Sequence, residues 1–201
     1  MTRGLPDLYL IRHGQTAWNR EGRLQGHLDS PLTDLGRAQA MALRPLVSGL
    51  PALRLCSPLG RAVQTARILF PDGTVALDPR LAEIGLGDFS GRPLADLRRD
   101  FPALFAGLPH DWYDRAPGGE GLASLSCRLS VLLNGLTGPA VLVTHGMTLA
   151  MICALATGRP LAAVHAACQD QGCLHIIRAG RHRIVRPACH GPRPAVEARS
   201  A

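Results

Sequence analysis

Two stretches far apart in this 201-residue chain end alike: "YLIRHGQT" stops at Thr16 and "VLVTHGMT" stops at Thr148. In each, an apolar run gives way to His-Gly-x-Thr, which places His13 and His145 where a strand would break into a glycine turn. The dipeptide alone says little, because 8 His and 22 Gly in this length make about one His-Gly pair expected by chance. A third pair, His190-Gly191, has no apolar lead-in. The information lies in the company the first two keep. A neutral imidazole is a competent nucleophile near neutrality, since its ordinary pKa is about 6.5. Arg12 precedes His13 and offers a planar fork suited to phosphate oxygens. Arg61 opens the expected helix of "SPLGRAVQTA", and a lone carboxylate, Glu83, stands in "LAEIGLGDFSG" with Asp88 close behind as a residue that could share its role. An in-line nucleophile, cationic donors for the equatorial oxygens and an acid for the leaving oxygen are what phosphoryl transfer needs.

These residues need strand ends to hold them. "LYLIR" reads as a short strand ended by Gly14, and "LRLCSP", "TVALDP" and "PAVLVTHG" read as three more. Between them fall helices: one capped by Thr33, with Leu35, Ala38, Ala42 and Leu46 at helical spacing; "LGRAVQTARILF", ending before Pro71; residues 122–136, with Leu122, Leu125, Leu129 and Leu132 in phase; and "MTLAMICALATG", stopped by Gly158. "CLHIIRAGRHRIVRP" reads as a closing hairpin turning at Ala179-Gly180. Strands alternating with helices predict an α/β fold, a three-layer α/β/α sandwich with a mostly parallel central sheet. In such sheets ligands bind beyond the carboxyl ends of the strands, where both His-Gly turns would fall. The stretch from about 87 to 121 is rich in Gly and Pro and holds five of the eight aromatics, Phe89, Phe101, Phe105, Trp112 and Tyr113. It is too long for a plain connection and predicts an inserted lid or substrate wall, the alternative being a small satellite core. One domain over 1–187 is expected, with 188–201 a disordered tail by composition.

The ordered blocks "LIRHGQTAWN", "GRLQGHLDSPLTDLGRAQA", "SPLGRAVQTA", "LAEIGLGDFSG" and "VLVTHG" resemble the histidine phosphatase superfamily in its phosphoglycerate mutase-like branch, over roughly residues 8 to 157. The resemblance implies that His13 carries the phosphoryl group and that Glu83 donates a proton and then activates water. It implies that Arg12, Arg61 and His145 hold the phosphate, and that Asn19, Gln25, Gly26 and Gly146 line the same pocket. Mutases of the family typically carry Glu-Arg-x-Tyr-Gly, whereas Ile84 and Leu86 stand at the Arg and Tyr positions here. The block is therefore closer to the small phosphatases, and a phosphomonoester hydrolase is expected. Mutase-type transfer and a non-catalytic phospho-ligand binding module are the alternatives. The apolar, aromatic lid suits a leaving group that is apolar or ring-bearing. "GGEG" around Glu120 departs from the Gly-Glu-Ser often found there, so the following helix should begin differently.

Other chemistries fit less well. "CSPLGR" puts four residues between Cys56 and Arg61, one short of a cysteine phosphatase loop, and a chain without lysine has no P-loop. The cysteines at 56, 127, 153, 168, 173 and 189 form no Cys-x-x-Cys, and no His or carboxylate spacing suggests a metal, so neither metal nor cofactor is expected. His165, His175 and His182 fall outside the motifs and read as structural or exposed. The net charge of +7 is lopsided: from Gln171 onward six Arg and one acid give +5, leaving +2 for residues 1–170. No nucleic-acid reading module accompanies that edge of charge, so nucleic acid is not an expected partner. No apolar run is long enough for a membrane span and the opening residues lack a secretory pattern, so a cytoplasmic protein acting on a small phosphorylated metabolite is expected. The sequence sets no oligomeric state.

Overall fold

The computed structural model describes residues 4–187; the tail expected over 188–201 lies outside the described residues. Six strands form one sheet: β1 (Leu8–Arg12), β2 (Leu53–Cys56), β3 (Ala76–Leu77), β4 (Ala140–Thr144), β5 (Leu174–Arg178) and β6 (Arg181–Val185). Their spatial order is β3-β2-β4-β1-β5-β6. The first four run parallel to one another, while β5 is antiparallel to both β1 and β6. The hairpin turns where the sequence places it, with Ala179 and Gly180 both at positive φ.

Seven helices flank the sheet: α1 (Ala17–Arg20), α2 (Asp34–Val47), α3 (Gly60–Leu69), α4 (Leu94–Asp100), α5 (Leu122–Asn134), α6 (Gly146–Thr157) and α7 (Leu161–His165). Up to their last residues, Arg12 and Thr144, the central strands β1 and β4 are apolar because both faces are covered. Side chains alternate between the faces. Leu8, Leu10, Ala140 and Leu142 meet α5 and α6, whereas Tyr9, Ile11, Val141 and Val143 meet α2 and α3. Three layers result. Among the described residues no single helix is long and apolar enough to cross a membrane.

The α2 helix forms where its Thr33 cap predicts, the Thr33 hydroxyl accepting from the Gly36 amide. Its buried face is a different one. Gly36, Ala40, Leu43 and Val47 point inward, while Leu35 and Leu46 are exposed. The cause is Gly36: its backbone lies against that of Gly14 and Gln15, so closely that a Cβ at either glycine would collide with the other segment. That contact sets the rotation of the whole helix, and the larger apolar side chains lose out to a glycine.

The insertion from Gly87 to Gly121 carries α4 and three short 3-10 turns. Its aromatics pack on one another, Phe89 to Phe101, Phe105 to Trp112, and Trp112 stacked on Tyr113 at 3.9 Å. Phe89 and Trp112 are buried in the same core as α5 and α6, so the segment is a packed wall continuous with the core. Gly121 precedes α5, and Asp114 from the insertion accepts the Leu122 amide at 2.6 Å, supplying the cap that the glycine cannot.

Candidate active site

The pairing of β1 with β4 sets Arg12 opposite Thr144, and the ladder continues one step further, from the His13 amide to the Thr144 carbonyl at 2.9 Å. His13 and His145 are thus the first residues beyond two neighbouring parallel strands, with ring centroids 5.2 Å apart. The repeated motif is a consequence of two strands ending side by side. The two threonines of the repeat do different work: Thr16 caps α1 together with Asn19, whereas Thr148 reaches Glu83.

His13 is 2% exposed, and its Nδ1 lies 2.8 Å from the Gly14 carbonyl, which only an N–H can satisfy. The proton is therefore on Nδ1 and the lone pair on Nε2. Burial, followed by the Arg61 and Arg12 charges, holds the His13 pKa well below its ordinary value. The ring is neutral at pH 7, as a nucleophile must be.

Arg61 is almost wholly buried and is gripped on all sides. Its Nε–H donates to His13 Nε2 at 3.2 Å, its Nη1 to the Leu28 carbonyl and Asp29, and its Nη2 to the Gly26 carbonyl at 2.8 Å. Asp29 also accepts the Gly60 and Arg61 amides, capping α3 from outside the helix. Arg12 donates through Nη1 to the Gln169 carbonyl, while its Nε is buried with no partner. Gly146 leaves room for it, since a Cβ there would stand 3.2 Å from the Arg12 guanidinium carbon.

The Glu83 carboxylate is not in the apolar pocket that its neighbours in sequence suggest. Leu81 and Ile84 turn into the core, and the carboxylate meets the N-terminus of α6. It accepts from the Met147 and Thr148 amides, the Thr148 hydroxyl and the Ile84 amide, at 3.0–3.2 Å. Both arginines feel its charge. His145 is fully buried, with Nε2 2.7 Å from the Ser57 hydroxyl and Nδ1 unpartnered. Burial, then Arg61, His13 and Arg12, hold its pKa well below the ordinary value too.

The remaining expected residues are close by, with roles of their own. The Asn19 side-chain oxygen is committed to Thr16 and to Gln171. Gln25 is buried with its Oε1 unpartnered, as a ligand-facing amide would be. Gly26 acts through its carbonyl on Arg61. Asp88 is exposed on the insertion. Reasoning from sequence missed Ser57, Thr148, Asp29, Gln171, which also reaches the His13 carbonyl, and the partly buried Tyr113, whose phenol is raised in pKa by desolvation and by Glu83. Of these only Thr148 carried a signal, as the last residue of the repeated motif.

The spacing of cysteine and histidine in the chain shows no cluster, yet the fold gathers one. Cys153 Sγ, His175 Nδ1 and His182 Nε2 lie within 4.8 Å of one another, on α6, β5 and β6. The two imidazoles are nearly coplanar, at 17°, with centroids 5.1 Å apart and nitrogens 2.9 Å apart. That separation is about the N···N distance plus two ring radii, so the nitrogens lie on the line between the rings, as in an N–H···N hydrogen bond. His175 Nε2 continues to Cys173 and from there to the Asp170 carbonyl. This chain of contacts ties the hairpin to the loop that holds Arg12.

Comparison with known proteins agrees with the geometry. The model of the histidine phosphatase superfamily (branch 1) matches residues 8–187. The "Probable phosphoglycerate mutase GpmB" of Cronobacter sakazakii is 36% identical over 162 residues, 76% of this chain and 75% of that protein. Its namesake from Proteus mirabilis is 37% identical over 166 residues, with the same shares. Among solved structures, the alpha-ribazole phosphatase of Shigella flexneri superposes with a TM-score of 0.75 at 30% identity, covering 90% of this chain and 95% of that one. A mycobacterial glucosyl-3-phosphoglycerate phosphatase, solved with VO3, gives 0.72 at 30% identity, covering 91% and 99%. With its two strand-end histidines and with a family match over nearly all its described residues, this chain belongs to the histidine phosphatase superfamily, branch 1.

Proposed function

We propose that this protein hydrolyses a small phosphomonoester through a phosphohistidine at His13. The observation that carries the reading is the state of that ring: neutral, its Nδ1–H tied to the Gly14 carbonyl, its Nε2 lone pair turned toward Arg61. In the first step Nε2 bonds to phosphorus as the P–O bond to the leaving group breaks, and Glu83 gives that oxygen a proton. In the second, water attacks phosphorus, Glu83 takes its proton, and the P–N bond breaks to release inorganic phosphate. Arg12, Arg61 and His145 steady the equatorial oxygens in both steps. No metal or cofactor enters either step, and a chelator should leave turnover unchanged.

Hydrolysis is preferred over mutase-type transfer because Ile84 and Leu86, at the positions of the mutase Arg and Tyr, are buried in the core and offer nothing to a second phosphate. The names of the sequence relatives favour the second reading, phosphoglycerate mutase. One experiment separates the two: the purified protein is screened on phosphorylated metabolites, with 3-phosphoglycerate among them, for both phosphate release and isomer exchange. Phosphate release with an acid-labile, base-stable phosphoenzyme that disappears in His13→Ala is expected. Isomer exchange without phosphate release would establish the mutase, and an undiminished phosphoenzyme in His13→Ala would remove His13 from the role.

A further inference from the structure

Ser57 has no part in the scheme above, yet it touches His145 at the atom that decides what that histidine can do. We infer that Ser57 is a positioning residue that locks His145 in its Nδ1–H tautomer, so that a neutral imidazole presents a hydrogen-bond donor to the phosphoryl group. The inference rests on the proposed phosphoryl transfer for its functional meaning, and on hydrogen-bond accounting for its structural content.

Ser57 is completely buried. It is the first residue beyond β2, and its amide donates to the Val143 carbonyl at 2.9 Å, which fixes its register against the strand that ends just before His145. Its hydroxyl oxygen accepts the Leu59 amide at 3.2 Å. The hydroxyl hydrogen is left, and the acceptor within reach is His145 Nε2 at 2.7 Å. A hydroxyl can also accept twice, so the reverse arrangement has to be weighed. If Nε2–H donated to Ser57, the serine hydrogen would be stranded in a fully buried site, and a bare Nδ1 lone pair would meet the lone pairs of a phosphate oxygen. With Ser57 as donor, every hydrogen of the Ser57–His145 pair is satisfied except one, the Nδ1–H. Nδ1 is the atom found buried and unpartnered, on the histidine whose ring lies 5.2 Å from that of His13. An orphan donor beside a nucleophile is placed to meet a ligand oxygen.

The two histidines therefore share the Nδ1–H tautomer and turn opposite nitrogens to the site. His13 spends its N–H on the Gly14 carbonyl and keeps a lone pair for attack; His145 has its lone pair occupied by Ser57 and keeps an N–H to donate. Imidazolium would donate equally well, but burial, and after it Arg61, His13 and Arg12, oppose a charge there. A tautomer lock supplies the donor without the charge.

The test is nitrogen NMR on the full chain with labelled histidine, at neutral pH, for the wild type and for Ser57→Ala and Ser57→Thr. In the wild type the His145 resonances, assigned by their loss in His145→Asn, should show Nδ1 protonated and Nε2 bare. In Ser57→Ala they should move toward the Nε2–H form or an average of the two, and in Ser57→Thr, which keeps the hydroxyl, they should return. Turnover on a phosphomonoester should follow, with kcat falling by about tenfold or more in the alanine variant, KM changing less, and threonine restoring part of the loss. A wild-type His145 protonated on Nε2, or an Nδ1–H form that survives unchanged in Ser57→Ala, would overturn the inference. Since the tautomer is read without substrate, a protein that turns over no phosphomonoester would refute the proposed function while leaving this measurement decisive.

Discussion

The Nε–H of Arg61 and Nε2 of His13 face each other across 3.2 Å. An imidazole nitrogen has one lone pair, so in the free protein the pair that would attack phosphorus is held by a donor that would serve the phosphoryl oxygens. Substrate has to draw that donor onto itself before the P–N bond can form. In the proposed mechanism Arg61 thus both guards the nucleophile and waits for the phosphate, held in place by the carbonyls of Gly26 and Leu28.

Removing such a preorganised donor typically costs about 10²–10³ in turnover. Arg61→Ala should lose kcat by that order. Arg61→Lys keeps the charge but cannot span His13, Asp29 and two carbonyls at once, so it should restore only part of the rate. Steady-state kinetics of the two variants decide it, and a near-normal alanine variant would take Arg61 out of the site.

Glu83→Gln keeps a side-chain oxygen for the Thr148 and Ile84 donors but has no proton to give. Activity on alkyl phosphates should fall steeply, and activity on a nitrophenyl phosphate, whose leaving oxygen needs little help, should fall much less. Equal losses on both would show that Glu83 is not the acid. Attention would then move to Tyr113, a partly buried phenol close enough to feel the charges of Glu83 and Arg12, since Asp88 is exposed.

Gly36→Ala should be destabilising by about 1–3 kcal/mol in denaturant unfolding, because its methyl group would drive α2 away from the backbone of Gln15. Catalysis should suffer as well, since Gln15 adjoins the Gly14 turn that sets the His13 tautomer. Gly49→Ala, with open space around it, is the control and should be close to neutral. Equal stability of the two variants would remove the close contact as the cause of the α2 rotation.

His13 and His145 are both held neutral well below the ordinary histidine pKa, first by burial and then by neighbouring charge. Below about pH 6.5 the unfolded chain takes up protons that these folded-state groups refuse, so stability should fall on acidification by up to about 1.4 kcal/mol per pH unit for each group. Above that pH neither contributes a slope. His145→Asn should flatten the acid limb by one proton's worth in unfolding curves taken between neutrality and mild acid. An unchanged limb would mean that His145 titrates normally in the folded protein.

The sequence by itself determined the parts that are local. His13, Arg12 and His145 were legible because an apolar strand, a glycine turn and the side chain between them are contiguous, and the helices at 34–47 and 146–157 were legible from caps and composition. The face of α2 was not, because it depends on Gly36 meeting Gly14 from another segment, and side-chain size gave the wrong ranking. The surroundings of Glu83 were not legible for the same reason: its neighbours in sequence are apolar, whereas its neighbours in space are the amides that open α6. Ser57 against His145, Asp29 against Arg61, and His175 against His182 exist only once β2, β4 and β1 are in register and the hairpin is folded against α6. Periodicity and motif record what a residue does within its own turn or strand. Which lone pair meets which donor is settled by pairing between segments distant in the chain, and that belongs to the tertiary structure.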